Sequence, residues 1–377
     1  MSDQLSRFLD LSRWIAAFLV VINHLNNRMV GPLSAIPPSE RTWLHLGWGF
    51  LSGFGHPAVV VFFVLSGYLV GGKLLKTIQD GDKFRFSHYL VDRTTRIYLV
   101  LLPVIGAVWL MDMIGMSVDS KGIYEAHYSI DKNRTWLAFF GTVLNVQNIF
   151  TPFYGTNGPL GTLANEFWYY LSFPLILMPC LRKRWTFEAT SLFLLGMLIT
   201  VVWTLQSPWH GVGFIVWIIG AMASQYRSVR SRNIVIPGFL FLVVLLSTRL
   251  LFRGETFISL GLFAYGFDFA LAILFASCLI AFSNRSEPAT RVLASPAHKA
   301  LSDFSYSLYA LHASLMTLIC IVLDRYIGFG WMSYPRVWWH WCILSLVLLL
   351  VVAVGWLFAK CTESFTASVR KLIKKRL

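Results

Sequence analysis

Charge is what this chain has least of. Only 13% of its 377 residues are Asp, Glu, Lys or Arg, about half the roughly 25% of an ordinary soluble domain. Hydrophobic residues make up 56%. That balance excludes a soluble enzyme and, with its repeated long apolar runs, points to a polytopic membrane protein. Cysteine is scarce too. Cys180, Cys278, Cys320, Cys342 and Cys361 form no CxxC pair and no metal-type spacing, so neither a disulfide framework nor a metal centre is indicated, and they read as small hydrophobes. There is no internal repeat, which disfavours inverted-repeat transporters. No Walker motif or Gly-rich nucleotide fingerprint is present. The first apolar run is long and lacks a small-residue cleavage pattern, so it reads as an uncleaved span. The largest outer loop, about 117–135, is too short to fold alone, and residues 1–377 read as one membrane domain.

Backbone groups in lipid must be hydrogen-bonded internally. The apolar runs are too long and uniform for alternating barrel strands. The expected fold is therefore all-α, with ten transmembrane helices near 12–31, 48–72, 97–116, 158–180, 189–206, 209–225, 234–252, 258–283, 301–323 and 338–359. The segment Trp136–Phe150 is apolar but only 15 residues long, and reads as non-spanning, either interfacial or re-entrant. The basic residues support this. With a cytoplasmic N-terminus, the inner side holds Arg7 and Arg13, six basic residues in 73–96, three each in 182–184, 227–232 and 285–299, and six in 360–376, which is 23 of 32. If 136–150 crossed, Arg182, Lys183 and Arg184 would face outward and the bias would reverse from there on. The positive-inside rule thus favours ten spans with both termini cytoplasmic. The net charge of +14 has the same origin: short basic loops against lipid headgroups, not a nucleic-acid face.

Against this apolar background a few titratable residues stand out. The first span carries Arg13 at its start and His24 in its body, Glu166 lies in another span and His312 in a third. Ionisable groups inside a bilayer are costly and tend to be functional. At ~1.5 Å per residue, His24 and His312 lie ~17–18 Å from the cytoplasmic face, and Glu166 falls at a similar level of a ~30 Å core. For His24 the alternatives are an interhelical hydrogen bond or a general base, since imidazole moves protons near neutral pH. For Glu166 they are a buried pair with Arg or His, or a group that orients the imidazole. For His312 they are packing or site. Arg93 and Arg96 share a helix face at the inner end of the third span. They fit a phosphorylated cofactor arriving from the cytosol, or lipid-headgroup anchoring. Gly67-Tyr-Leu-Val-Gly71 is GxxxG-like and reads as a close helix crossing.

These motifs together resemble the integral-membrane acyltransferase family 3, which O-acylates cell-surface glycans. The opening Arg7-x-x-Asp10-x-x-Arg13 with His24 eleven residues beyond Arg13 is similar to that family's first span. Phe62–Gly72, "FFVLSGYLVGG", is similar to its second. Arg93-Thr-Thr-Arg96-Ile-Tyr resembles its cytoplasmic RxxR element. Leu163–Leu177, "LANEFWYYLSFPLIL", resembles its Glu-containing span, with Tyr170 and Pro174. Ser302–His312, "SDFSYSLYALH", resembles its late span, with Ser305, Tyr306, Tyr309 and His312. Thr362-Glu363-Ser364 resembles its C-terminal Glu element. The set keeps its order along nearly the whole chain. Departures include Gly161 and Ala164 where Trp and Ser often precede the Glu, no Pro after Arg-Ile-Tyr, and Ser314 where Pro often follows the His.

The resemblance implies an acyl-CoA donor, usually acetyl-CoA, on the cytosolic side. It also implies a carbohydrate acceptor outside, such as a polysaccharide, lipopolysaccharide or oligosaccharide, in a bacterial inner membrane. Arg93 and Arg96, with Arg13, would bind the cofactor. His24 would take the hydroxyl proton, or carry the acyl group, and Glu166 would set its tautomer. Asp10, Tyr170, Ser305, Tyr306, Tyr309 and His312 would line the site, and no metal is required. The rival reading is a transporter or flippase of a lipid-linked glycan, which would also want intramembrane charges but would have no reason to bind CoA.

Overall fold

The computed structural model describes residues 2–226, 234–250, 264–284 and 290–376. Arg227, Arg230, Arg232 and Arg285 of the basic count, residues 251–252 and the opening of the 258–283 span lie outside the described residues. Among the described residues the chain is all-helical, with one isolated β-bridge, Gln147–Thr151. It is a membrane protein. Among the described residues six helical runs are long and apolar enough to cross a bilayer: Trp43–Asp80, Phe86–Val118, Phe187–Gln206, Ala264–Ser283, Ser305–Ile327 and Trp338–Lys374. Pro208–Ala223 and Val235–Leu250 are apolar but shorter. The first helix, Asp3–Leu25, bears four charged residues besides His24, and Leu160–Ile176 has 17 residues; neither is among the six.

Local chemistry starts and stops these helices. Thr135 and Thr186 cap the helices Trp136–Val143 and Phe187–Gln206 by accepting from Ala138 N and Ala189 N, each at 3.2 Å, which satisfies an amide the helix leaves open. The first helix passes into a widened π turn, Asn26–Val30, that ends at Gly31 with φ 81°. Its last carbonyls are not left bare. Met332 N donates to Arg28 O and Ser333 N to Met29 O, each at 2.7 Å. Such π turns commonly sit at functional positions.

The chain forms two compact units, each discontinuous in sequence. The first comprises Met1–Ala16, His56–Phe86 and Trp168–Ser302. Its centre is a close crossing. A Cβ on Gly67 would collide with the carbonyl oxygen of Trp217, and one on Gly220 with that of Val64. The expected close approach at Gly67 is therefore present, with Gly220 as its counterpart. Trp217 and Tyr169 are fully buried beside it. Trp217 Nε1 donates to Ser66 Oγ at 3.0 Å, and Tyr169 donates to His210 O at 2.8 Å. The helix Val235–Leu250 packs on Ala264–Ser283. His56 meets the buried Asp268 at 2.9 Å.

The second unit comprises Ala17–Gly55, Ser87–Phe167 and Asp303–Leu377. Its axis is the largely buried helix Ser305–Ile327, backed by Trp338–Cys361. Gly355 lets Leu308 in so closely that a Cβ there would lie 2.8 Å from Leu308 Cδ1. The apolar segment 136–150 resolves into a helix of only eight residues, Trp136–Val143, ~12 Å long and well short of a ~30 Å core. The chain then reverses through Asn145 and Asn148, at φ 56° and 63°, a conformation Asn tolerates. The following stretch is polar yet buried. Asn157 Nδ2 donates to Ala310 O at 2.8 Å, and Thr156 N donates to Asp112 Oδ2 at 3.1 Å. Asp92 holds the C-terminal helix Thr366–Lys374 through Arg370 at 3.2 Å and Lys374 at 2.7 Å.

Candidate active site

Within the second unit, two helices distant in sequence bring His24 and His312 together, with ring centroids 5.1 Å apart and planes tilted by 53°. His312 is completely buried and His24 half-buried. Four residues past His24, one helical turn on, stands Arg28, 7% exposed. Its Nη1 lies 3.3 Å from His24 Nδ1 and 3.3 Å from His24 O, and its Nε donates to Thr317 Oγ1 at 2.9 Å. Thr317 donates in turn to Ala313 O at 3.0 Å and accepts from Tyr128 Oη at 2.9 Å. Among the described residues no carboxylate pairs with Arg28. A buried guanidinium without a counter-ion is costly and makes the site receptive to negative charge.

His312 Nδ1 is 2.6 Å from Tyr309 O and 3.2 Å from Leu308 O, while its Nε2 is buried without a partner. Tyr309, one turn earlier, stacks at a tilt on His312 with centroids 5.7 Å apart. The Tyr309 hydroxyl bonds to Pro159 O at 3.2 Å and to the Thr162 side chain, within electrostatic reach of Glu166. The partner that meets His24 Nδ1 is Arg28, not the Glu166 carboxylate that the sequence suggested for it. Ser305 is buried at the helix start, and two residues on Ser307 N and Oγ both donate to Glu363 Oε2, at 3.2 and 2.9 Å. Glu363 therefore caps the helix that carries Tyr309 and His312.

Arg96 lies over the Tyr306 ring and Arg93 over that of Tyr89, each at 5.8 Å. Their helix begins at Phe86, not at the pair, so they stand two to three turns inside it. The helix N-terminus therefore contributes little to anion binding there, because that field fades within the first turn. In the first unit, Arg13 Nη1 is 3.7 Å from Asp10 Oδ1 and donates to Ser302 Oγ at 3.1 Å. Tyr170 Oη shares Ser66 Oγ at 3.0 Å with the Trp217 indole. These contacts tie Arg13, Asp10 and Tyr170 into the packing of that unit.

Arg28, Thr317 and Tyr128 do not stand out in the sequence, nor does a chain in which Thr156 Oγ1 joins Asp112 Oδ1 at 2.7 Å to Ser314 Oγ at 2.8 Å. The available signal for Arg28 was its i, i+4 spacing from His24. Outside the spans, burial pushes the Tyr124 phenol upward and the charge of Asp112 adds to it, so Tyr124 stays protonated.

A family model described as an acyltransferase domain, acyltransferase family 3, matches residues 6–360. Nodulation protein 10 of Rhizobium leguminosarum bv. viciae is 23% identical over 376 residues, covering 92% of this chain and 90% of that protein. A Staphylococcus aureus (strain COL) protein that carries the provisional name of an O-acetyltransferase is 28% identical over 204 residues, covering 51% of this chain and 29% of that protein. No solved structure matches the chain.

Proposed function

The chain belongs to acyltransferase family 3, and on that premise we propose that it is an O-acyltransferase moving an acyl group, acetyl in the first instance, from cytosolic acyl-CoA to a hydroxyl of an exported or cell-surface carbohydrate. The observation that carries this reading is the cluster of His24, His312 and Arg28, two imidazoles 5.1 Å apart beside a guanidinium with no carboxylate paired to it among the described residues. Attack of a hydroxyl on a thioester needs a group to take a proton and a group to stabilise the negative charge growing on the carbonyl oxygen. Imidazole and guanidinium supply these two needs. The acetyl donor draws support from the name of the staphylococcal relative. We place the protein in the bacterial inner membrane, with ten spans and both termini cytoplasmic.

In this reading Arg93 and Arg96, already seated on tyrosine rings, bind the phosphates of CoA, since Arg forks suit phosphate oxygens. His24, Arg28, His312 and Glu166 surround the reacting carbonyl and hydroxyl. Arg13, with Asp10, keeps its helix in register.

Binding of acetyl-CoA to the purified protein in detergent tests the donor, wild type beside Arg93→Ala and Arg96→Ala. Losing one charge-assisted phosphate contact costs about 1.5–3 kcal/mol, which weakens binding on the order of tenfold or more. A folded wild-type sample that binds no acyl-CoA would overturn the proposal in favour of glycan transport. Unchanged affinity in both variants would return the Arg pair to headgroup anchoring.

A further inference from the structure

The hydrogen bonds around the two imidazoles fix which nitrogen of each carries its proton. A guanidinium only donates. His24 Nδ1, 3.3 Å from Arg28 Nη1, must therefore present a lone pair, and the proton of neutral His24 sits on Nε2. A carbonyl only accepts. His312 Nδ1, held by Tyr309 O at 2.6 Å, must therefore carry the proton, and the lone pair of neutral His312 sits on Nε2. The two rings are opposite tautomers. Among the described residues His24 Nε2 and Arg28 Nη2 have no protein partner, and neither is among the fully enclosed side-chain atoms, whereas His312 Nε2 is enclosed and unpartnered.

Resting on the acyl-transfer reading above, we propose that His24 is a hydrogen-bond donor to the thioester oxygen, locked in that role by Arg28, and that His312 Nε2 is the base. For His24 to act as base through Nε2, its Nδ1 would need a proton pointing at a guanidinium N–H. The cluster forbids that arrangement while Arg28 stays in place. The hydroxyl oxygen attacks the thioester carbon as its proton passes to His312 Nε2. The negative charge on the former carbonyl oxygen is met by the N–H of His24 and the free N–H groups of Arg28. The C–S bond then breaks, the ester remains on the acceptor, and the CoA sulfur takes the proton back from His312. Enclosure of Nε2 keeps water from competing for the acyl group.

The test pairs two substitutions at one position. His24→Ala removes the donor and is expected to lower kcat by about 10²–10³, the usual cost of losing an oxyanion donor. His24→Gln restores an N–H near Nε2 but has no basic nitrogen, and it is expected to recover activity to within about tenfold of wild type. His312→Gln, which lacks the base, is expected to stay down by about 10²–10⁴. A Gln at 24 no better than Ala overturns the assignment, as does a His312→Gln that turns over normally. Nitrogen-15 spectra of histidine-labelled wild type test the tautomers without any turnover. Opposite tautomers, His24 protonated at Nε2 and His312 at Nδ1, are expected. Protonation of His24 at Nδ1 overturns the assignment even if any variant misfolds. Absence of acyl transfer by wild type, with opposite tautomers in the spectrum, would instead remove the acyltransferase reading.

Discussion

At the scale of single residues, the cluster is held by hydrogen bonds from side chains beside it. Thr317 is the clearest. Its hydroxyl accepts from both Arg28 Nε and Tyr128, and donates to Ala313 O, so all its hydrogen-bonding capacity is used. Thr317→Val keeps the shape and removes that hydroxyl. Arg28 Nε and the Tyr128 phenol then lose their acceptor in a buried place, at a cost of about 1–3 kcal/mol. A lowered melting temperature in detergent is expected, together with a fall in kcat of about tenfold and little change in the KM for acyl-CoA. Thr317→Ser should retain both properties. A change confined to the KM would show that Thr317 serves donor binding and not the orientation of Arg28. None of this could be read from the sequence, where Thr317 is one hydroxyl residue in an apolar helix and its partner lies 289 positions away. Arg28 was hidden differently: a basic residue near the end of a span is most simply counted as a topology charge.

At the scale of elements, helices were legible and their contacts were not. Each expected span meets a helix in the described residues, and six of these helices are long and apolar enough to cross, because an apolar segment in lipid must satisfy its backbone within itself. Which helices touch depends on pairs such as Gly67 with Trp217 and Gly220 with Val64. Of these, only the Gly67-x-x-x-Gly71 spacing gave warning. Here the obstacle to a side chain is a backbone carbonyl, which cannot rotate away. Gly67→Ala and Gly220→Ala are therefore expected to force the helices apart and lower the melting temperature in detergent by several degrees. Gly238→Ala is the contrast, since a Cβ there meets nothing within 4 Å. A methyl in open space on a helix is neutral to stabilising, by at most about 1 kcal/mol. Equal melting temperatures for Gly67→Ala and wild type would show that the crossing is not tightly packed. The buried polar run after Val143 was also beyond the sequence, since Thr156 and Asn157 look like ordinary loop residues until Asp112 and Ala310 O are seen to receive them.

For the molecule as a whole, the segment 136–150 decides how the chain threads the bilayer. Its helix has eight residues, giving ~12 Å of rise against a ~30 Å hydrocarbon core, and two left-handed Asn residues turn the chain back immediately afterwards. A segment that enters and returns leaves the Arg182–Arg184 loop on the inner side, in line with the excess of positive charge there. A segment that crosses would put every later loop on the opposite side. Single cysteines at Lys83, Ser120 and Lys183, in a chain whose own five cysteines are replaced, separate the two cases. A membrane-impermeant maleimide applied to intact spheroplasts is expected to label Ser120→Cys at once, and Lys83→Cys and Lys183→Cys only after lysis. Labelling of Lys183→Cys from outside, with Lys83→Cys still protected, would mean that 136–150 crosses. It would also invert the helix carrying His312 relative to the one carrying His24, two helices whose rings the structure holds 5.1 Å apart. The proposed path from a cytosolic donor to an external acceptor depends on that threading. The labelling pattern therefore bears on the direction of acyl transfer as directly as any substitution in the site.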